Sequence, residues 1–97
     1  NVKKWIAYND LERKGEVIIN TGAENALCAA DRVSSLLPIG ITAVNGDFKK
    51  GDIIKIVNAT GRQIGIGMAQ YGTEKAREYL GQNGKKALIH YDYLFID

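Results

Sequence analysis

Cysteine, histidine, proline, methionine and tryptophan each occur once in this 97-residue sequence. One cysteine excludes an internal disulfide, and a reducing, cytoplasmic setting is the simple reading. A single Cys28 with a single His90 also excludes a zinc site of ordinary type, which draws four ligands largely from those two residues. No apolar run approaches the roughly 20 residues of a membrane helix, and no signal-peptide pattern opens the chain. Charge of one sign is lacking as well. The net charge is +2, and residues 1–14 account for all of it, with Lys3, Lys4, Arg13 and Lys14 against Asp10 and Glu12. The remaining basic and acidic residues balance, so the body lacks the excess that phosphate neutralisation favours in nucleic-acid binders.

What is present suits one ordinary globular domain. The chain is 45% hydrophobic and 25% charged, and at this length it can bury roughly two-thirds of its unfolded surface without metals or disulfides. It begins at Asn1, which reads as a piece of something longer. Trp5, Ile6 and Tyr8 are too apolar for an idle linker, so residues 1–14 are expected to pack on this domain or on a missing neighbour.

"EVIIN" predicts a short strand. In "TGAENALCAA", Thr21 and Glu24 are spaced as a capping box, and Ala23, Ala26, Leu27 and Ala30 fall on one helical face. Pro38 lacks a ladder donor and predicts a strand start or an edge. "IGITAV" and "DIIKIV" predict strands, and "NATGRQ" a turn in which Gly61 takes positive φ. "IGIGMA" sets Ile64, Ile66 and Met68 against Gly65, Gly67 and Ala69, so one face packs and the other is bare. Its glycines lie inside a strand and open no helix, which makes them a poor dinucleotide signal. "TEKAREYLG" predicts a second helix with Thr73 as N-cap, Gly81 at its C-terminal end, and a weak Glu74–Arg77 surface pair. "ALIHYDYLFI" predicts a long closing strand. The sum is a mainly β fold: a small barrel or pseudobarrel of about five or six short strands with two short flanking helices.

Between two of those strands lies Gly46-Asp47-Phe48-Lys49-Lys50-Gly51-Asp52. Gly-Asp pairs at both ends are turn chemistry. Phe48 is expected to fold under the barrel rim, with Lys49 and Lys50 pointing to water, and a structural connection outweighs a binding role.

These segments carry a resemblance. "TGAENAL", "SSLLPIGITAVNGDFKKGDIIKI", "GRQIGIGMAQYGTEKAREYLG" and "IHYDYLFI" resemble the PUA domain, in the version found at the C-terminus of bacterial glutamate 5-kinase. The matching pattern is Leu36-Leu37-Pro38-x-Gly40, then Gly46-x-Phe48-x-x-Gly51-Asp52, then Gly67 and Tyr71. "KKWI" at Lys3 to Ile6 resembles the element joining the kinase and PUA portions of that family. Two features depart: Asn20-Thr21 stands where an aspartate commonly precedes Gly-Ala, and the region from Gly81 to Lys86 is short. The resemblance implies that residues 1–14 lead in from a missing N-terminal kinase domain and that 15–97 form the PUA domain. It implies a parent that phosphorylates the γ-carboxylate of L-glutamate with ATP and Mg, the first step of proline synthesis, as a homo-oligomer.

Within this sequence itself no catalytic, cofactor-binding or metal-ligating set emerges. Cys28 reads as a small core residue, and His90 as a structural polar handle with one ring nitrogen bonded to backbone. An activated cysteine would need His90 brought to it by the fold. Three functional readings follow. An accessory domain would contact the kinase portion through Trp5 and Ile6. An RNA-gripping module, as PUA domains of RNA-modifying enzymes are, would use Arg32, Ser34 and Ser35, with Lys85 and Lys86 as a second clamp. A peptide or small-molecule binder would use the bare Gly65/Gly67 face.

Overall fold

Strand β1 (Gly15–Ile19) lies between β2 and β3 in a five-stranded mixed sheet of order β2-β1-β3-β4-β5, with β3 at its centre. The other strands are β2 (Ile41–Gly46), β3 (Ile53–Val57), β4 (Gln63–Met68) and β5 (Leu94–Ile96). Helix α1 (Thr21–Cys28) follows β1, and helix α2 (Thr73–Tyr79) follows β4. A computed structural model describes residues 15–29 and 33–96 of the chain. Within it, β1 pairs parallel with β3, and every other pairing in the sheet is antiparallel.

The hydrophobic pattern explains this order. β3 reads Ile-Ile-Lys-Ile-Val, apolar on both faces apart from Lys55, as suits an interior strand. Its Ile54 and Ile56 enter the main core with Val17, Ile19, Leu36, Phe48, Leu88 and Ile89. Ile53 faces the other way, into a small second cluster with Ile66, Met68 and Phe95. On that face Glu16 lies between its two register partners: Asn45 Nδ2 donates to its carboxylate at 3.3 Å, and Lys55 Nζ lies 3.9 Å away.

Two bulges break simple alternation. In β2, Ile18 pairs with Ala43 but Ile19 with Ile41, so Thr42 is the extra residue. Ile41 and Val44 are therefore both buried, and the Thr42 hydroxyl donates to the Ile18 carbonyl at 3.2 Å. In β4, Ile56 pairs with Gly65 but Val57 with Gln63, leaving Ile64 as the extra residue. Ile64 thus enters the main core while Ile66 enters the second cluster. The expectation that Ile64, Ile66 and Met68 share one face is corrected by that bulge.

The bare glycine face is filled by the chain itself. A Cβ at Gly65 would collide with the Phe95 carbonyl, and one at Gly67 would lie 2.5 Å from Ile89 Cγ2 and 3.0 Å from the Tyr93 carbonyl. The predicted long closing strand is also broken. Ile89 forms an isolated antiparallel bridge with Leu36, Tyr91–Tyr93 turns as a 3₁₀ helix, and only Leu94–Ile96 joins the sheet.

At the helix starts the caps differ from the sequence reading by one residue. Asn20, not Thr21, caps α1: its side chain accepts from Ala23 N at 2.8 Å. Glu24 instead accepts from Asn58 Nδ2 at 3.2 Å. Asn58 is buried and its Oδ1 also accepts from Thr60 and Arg62, so the β3–β4 turn, with Gly61 at φ 89°, is tied to α1. Gly72, not Thr73, is the N-cap of α2. Arg77 donates to the Val44 carbonyl at 3.5 Å rather than pairing with Glu74. Pro38 opens a 3₁₀ turn, Pro38–Gly40, that delivers the chain into β2 at the sheet edge. Gly81 N donates back to the Pro38 carbonyl.

Candidate functional site

The β2–β3 loop is locked from inside. Gly46 and Gly51 take φ of 90° and 94°, values that residues with a Cβ rarely adopt. Between them Phe48 is 1% exposed. Its backbone N–H donates to the buried Thr73 hydroxyl at 2.8 Å, and Thr73 N donates to the Phe48 carbonyl at 3.0 Å. Asp52 accepts from Lys49 N at 2.9 Å, closing the turn. Lys49 and Lys50 are exposed, as the sequence suggests.

Around this corner the chain builds a cleft of ≈ 360 Å³, lined by Lys50, Gln70, Tyr71, Gly72, Lys75, Tyr79 and Lys86. Tyr71 is buried, and its hydroxyl donates to the Lys86 carbonyl at 2.8 Å. Burial, with a smaller contribution from neighbouring Tyr79, pushes the Tyr71 phenol up to about 12, so it stays protonated. The two rings meet edge-on at 5.5 Å, and Lys85 Nζ lies 5.2 Å from the Tyr79 ring centroid.

Of the residues singled out in the sequence, Lys86 lines this cleft and Lys85 flanks it. Ser34 and Ser35 lie elsewhere, beyond the Leu36–Ile89 bridge, where the Ser35 hydroxyl accepts from Tyr91 N at 2.9 Å. Arg32, Trp5 and Ile6 lie outside the described residues. Lys50, Lys75, Tyr71 and Tyr79 were not singled out as binding residues. Tyr71, Lys75 and Tyr79 follow one another at four-residue spacing on and just before α2. Lys50 is remote in sequence and joins them only because the Phe48–Thr73 bonds dock its loop on α2, a long-range contact with no local signature.

Near Ser35 the surface is apolar. Among the described residues, Val33, Leu37, Ile39, Tyr91 and Tyr93 are the large hydrophobic residues that stay exposed, Val33 at 75%. His90 sits beside them with Nδ1 accepting from Asp92 N at 3.1 Å, the backbone-bonded role its sequence position suggests. Cys28 is exposed at the end of α1, not a core residue as expected, because it falls on the solvent face of the helix with Thr21 and Asn25 while Leu27 in the same turn enters the core. Among the described residues no hydrogen bond joins it to His90, whose Nδ1 accepts from Asp92 N instead. Among the described residues no group of three or more His, Cys, Asp or Glu could hold a metal ion, and no helix is long and apolar enough to cross a membrane.

Comparison with known proteins places this geometry. The chain is 51% identical over 94 residues to a glutamate 5-kinase of Chlorobaculum tepidum, covering 97% of this chain and 26% of that protein. It is 44% identical over 97 residues to a glutamate 5-kinase of Bacteroides thetaiotaomicron, covering 100% and 27%. It therefore spans about a quarter of the length of these relatives. Among solved structures, a PUA domain from Aeropyrum pernix K1, in complex with tartrate, superposes with a TM-score of 0.67 at 22% identity over 80% of this chain and 42% of that one. The archaeal box H/ACA Nop10–Cbf5 complex superposes with a TM-score of 0.68 at 21% identity over 84% of this chain and 24% of that one. These structures speak for the fold, and the PUA domain family model itself matches residues 15–90: the chain belongs to the PUA domain family.

Proposed function

We propose that this chain is the non-catalytic accessory domain of a glutamate 5-kinase. The observation that carries the reading is 51% identity across 97% of the chain to a quarter of such an enzyme. The parent would transfer the γ-phosphoryl group of ATP, with Mg, to the γ-carboxylate of L-glutamate, in the cytoplasm and as a homo-oligomer. The reacting groups would lie in the kinase portion, with residues 1–14, including Trp5 and Ile6, leading from it. The exposed stretch Val33, Leu37 and Ile39, tied through Ser35 to the Tyr91–Tyr93 turn, offers the apolar surface for contact with that portion. Interfaces between domains of one chain bury such patches. The test is the parent enzyme with and without this segment. Phosphoryl transfer should survive truncation, while oligomer mass, proline sensitivity or thermal midpoint changes. Unchanged values of all three would contradict the reading.

The second reading is an RNA-binding module with Arg32, Ser34, Ser35, Lys85 and Lys86 as contacts. The observation favouring it is the basic cleft beside Lys85 and Lys86. A gel shift with structured RNA that weakens steeply as salt rises would support it, and no shift at low salt would remove it.

A further inference from the structure

The cleft beside the Phe48 corner has a composition that the accessory role does not explain. Three of its seven lining residues are lysines, and each comes from a different part of the chain: Lys50 from the β2–β3 loop, Lys75 from α2, Lys86 from the segment after α2. None of the lining residues is acidic, although the domain body as a whole is charge-balanced. Lys85 adds a fourth ammonium group over the Tyr79 ring. Among the described residues, none of these four lysines has a carboxylate within 4.0 Å, whereas Lys55 on the sheet has Glu16.

Like charges gathered in a concave site repel one another and raise the local concentration of anions. The walls are held in place: Tyr71 is buried and bonded to the Lys86 carbonyl, and Thr73 fastens the loop that carries Lys50. A volume of ≈ 360 Å³ lies within the range of small-molecule sites. We propose that this cleft binds a small polyanion, a molecule carrying two or more phosphate or carboxylate groups spaced to bridge Lys50, Lys75 and Lys86. The Gln70 amide and the Tyr79 phenol supply neutral polar groups at the same wall.

The experiment is titration of the 97-residue chain with tripolyphosphate and, separately, with citrate, followed by amide NMR and calorimetry at low ionic strength. The expected result is saturable shifts centred on Lys50, Gln70 to Gly72, Lys75, Tyr79 and Lys86. Lys75→Gln with Lys86→Gln should weaken affinity by about tenfold or more, while Lys55→Gln changes it by less than about twofold. Melting curves verify that the variants fold, and Lys50→Gln, an exposed loop change, serves alone if the double variant does not. Tighter binding of tripolyphosphate identifies phosphate groups as the ligand chemistry, and tighter binding of citrate identifies carboxylates. The proposal is overturned by no saturation at millimolar ligand, by equal sensitivity to Lys55→Gln, or by binding of structured RNA without either small anion.

Discussion

Thr73 shows how much a single hydroxyl can hold. It is 5% exposed, accepts from Phe48 N at 2.8 Å, and donates to the Phe48 carbonyl at 3.2 Å. Thr73→Val keeps the shape of the side chain and leaves the Phe48 N–H without an acceptor in a buried place. We expect a loss of about 1–3 kcal/mol in urea unfolding, the cost of an orphaned buried donor. A change within about 0.3 kcal/mol would mean that the loop is not fastened there. Tyr71 has a pH signature. Its phenol is raised from 10.0 to about 12 in the folded protein, chiefly by burial. The unfolded chain therefore ionises first, and the stability that Tyr71 contributes is complete below pH 10 and falls as pH rises towards 12. Tyr71→Phe should lower stability at neutral pH by removing the bond to Lys86, yet flatten the decline above pH 10 relative to the unaltered protein. Parallel stability-versus-pH curves would refute the assignment.

At the scale of elements, the strands were legible because their branched aliphatic runs are bounded by glycine turns, and the turn at Gly61 was legible from its residue types. The bulges at Thr42 and Ile64 were not. One extra residue shifts the phase of everything after it, and nothing in the local composition announces the slip. The break in the last strand was hidden for a similar reason: Tyr91-Asp92-Tyr93 has strand-like aromatics, but His90 caps it into a 3₁₀ turn. At α1, Asn20 and Thr21 are both good caps, and the choice between them follows from Asn20 N bonding the Gly40 carbonyl. Alternation with glycine did carry information at β4. Gly65 is required because β5 lies against it, where a Cβ would also stand 3.2 Å from Ile96 Cα. Gly65→Ala should therefore cost about 1–3 kcal/mol and loosen Leu94–Ile96 from the sheet, as overpacking does. Gly22→Ala, in α1 with only Asn20 Oδ1 at 3.5 Å, should be neutral or stabilise by up to about 1 kcal/mol. Thermal unfolding of the two variants compares them directly, and equal effects would contradict the packing of β5.

For the whole molecule, the balanced charge of the body and the PUA family were both legible, the second because several ordered segments agree at once. The lysine cleft was not, since Lys50, Lys75 and Lys86 meet only after the loop docks on α2. The molecule then presents two different surfaces: a basic cleft beside α2, and an apolar stretch over 33–39 with the Tyr91–Tyr93 turn. The central claim is that the second surface faces the rest of a larger enzyme. Hydrogen exchange, measured on this segment alone and within the full-length parent, tests it most directly. Amides of Val33, Ser34, Leu37, Ile39 and Tyr91 to Tyr93 should exchange more slowly by about tenfold or more when the parent is intact. Identical exchange at those amides in both settings would contradict the account.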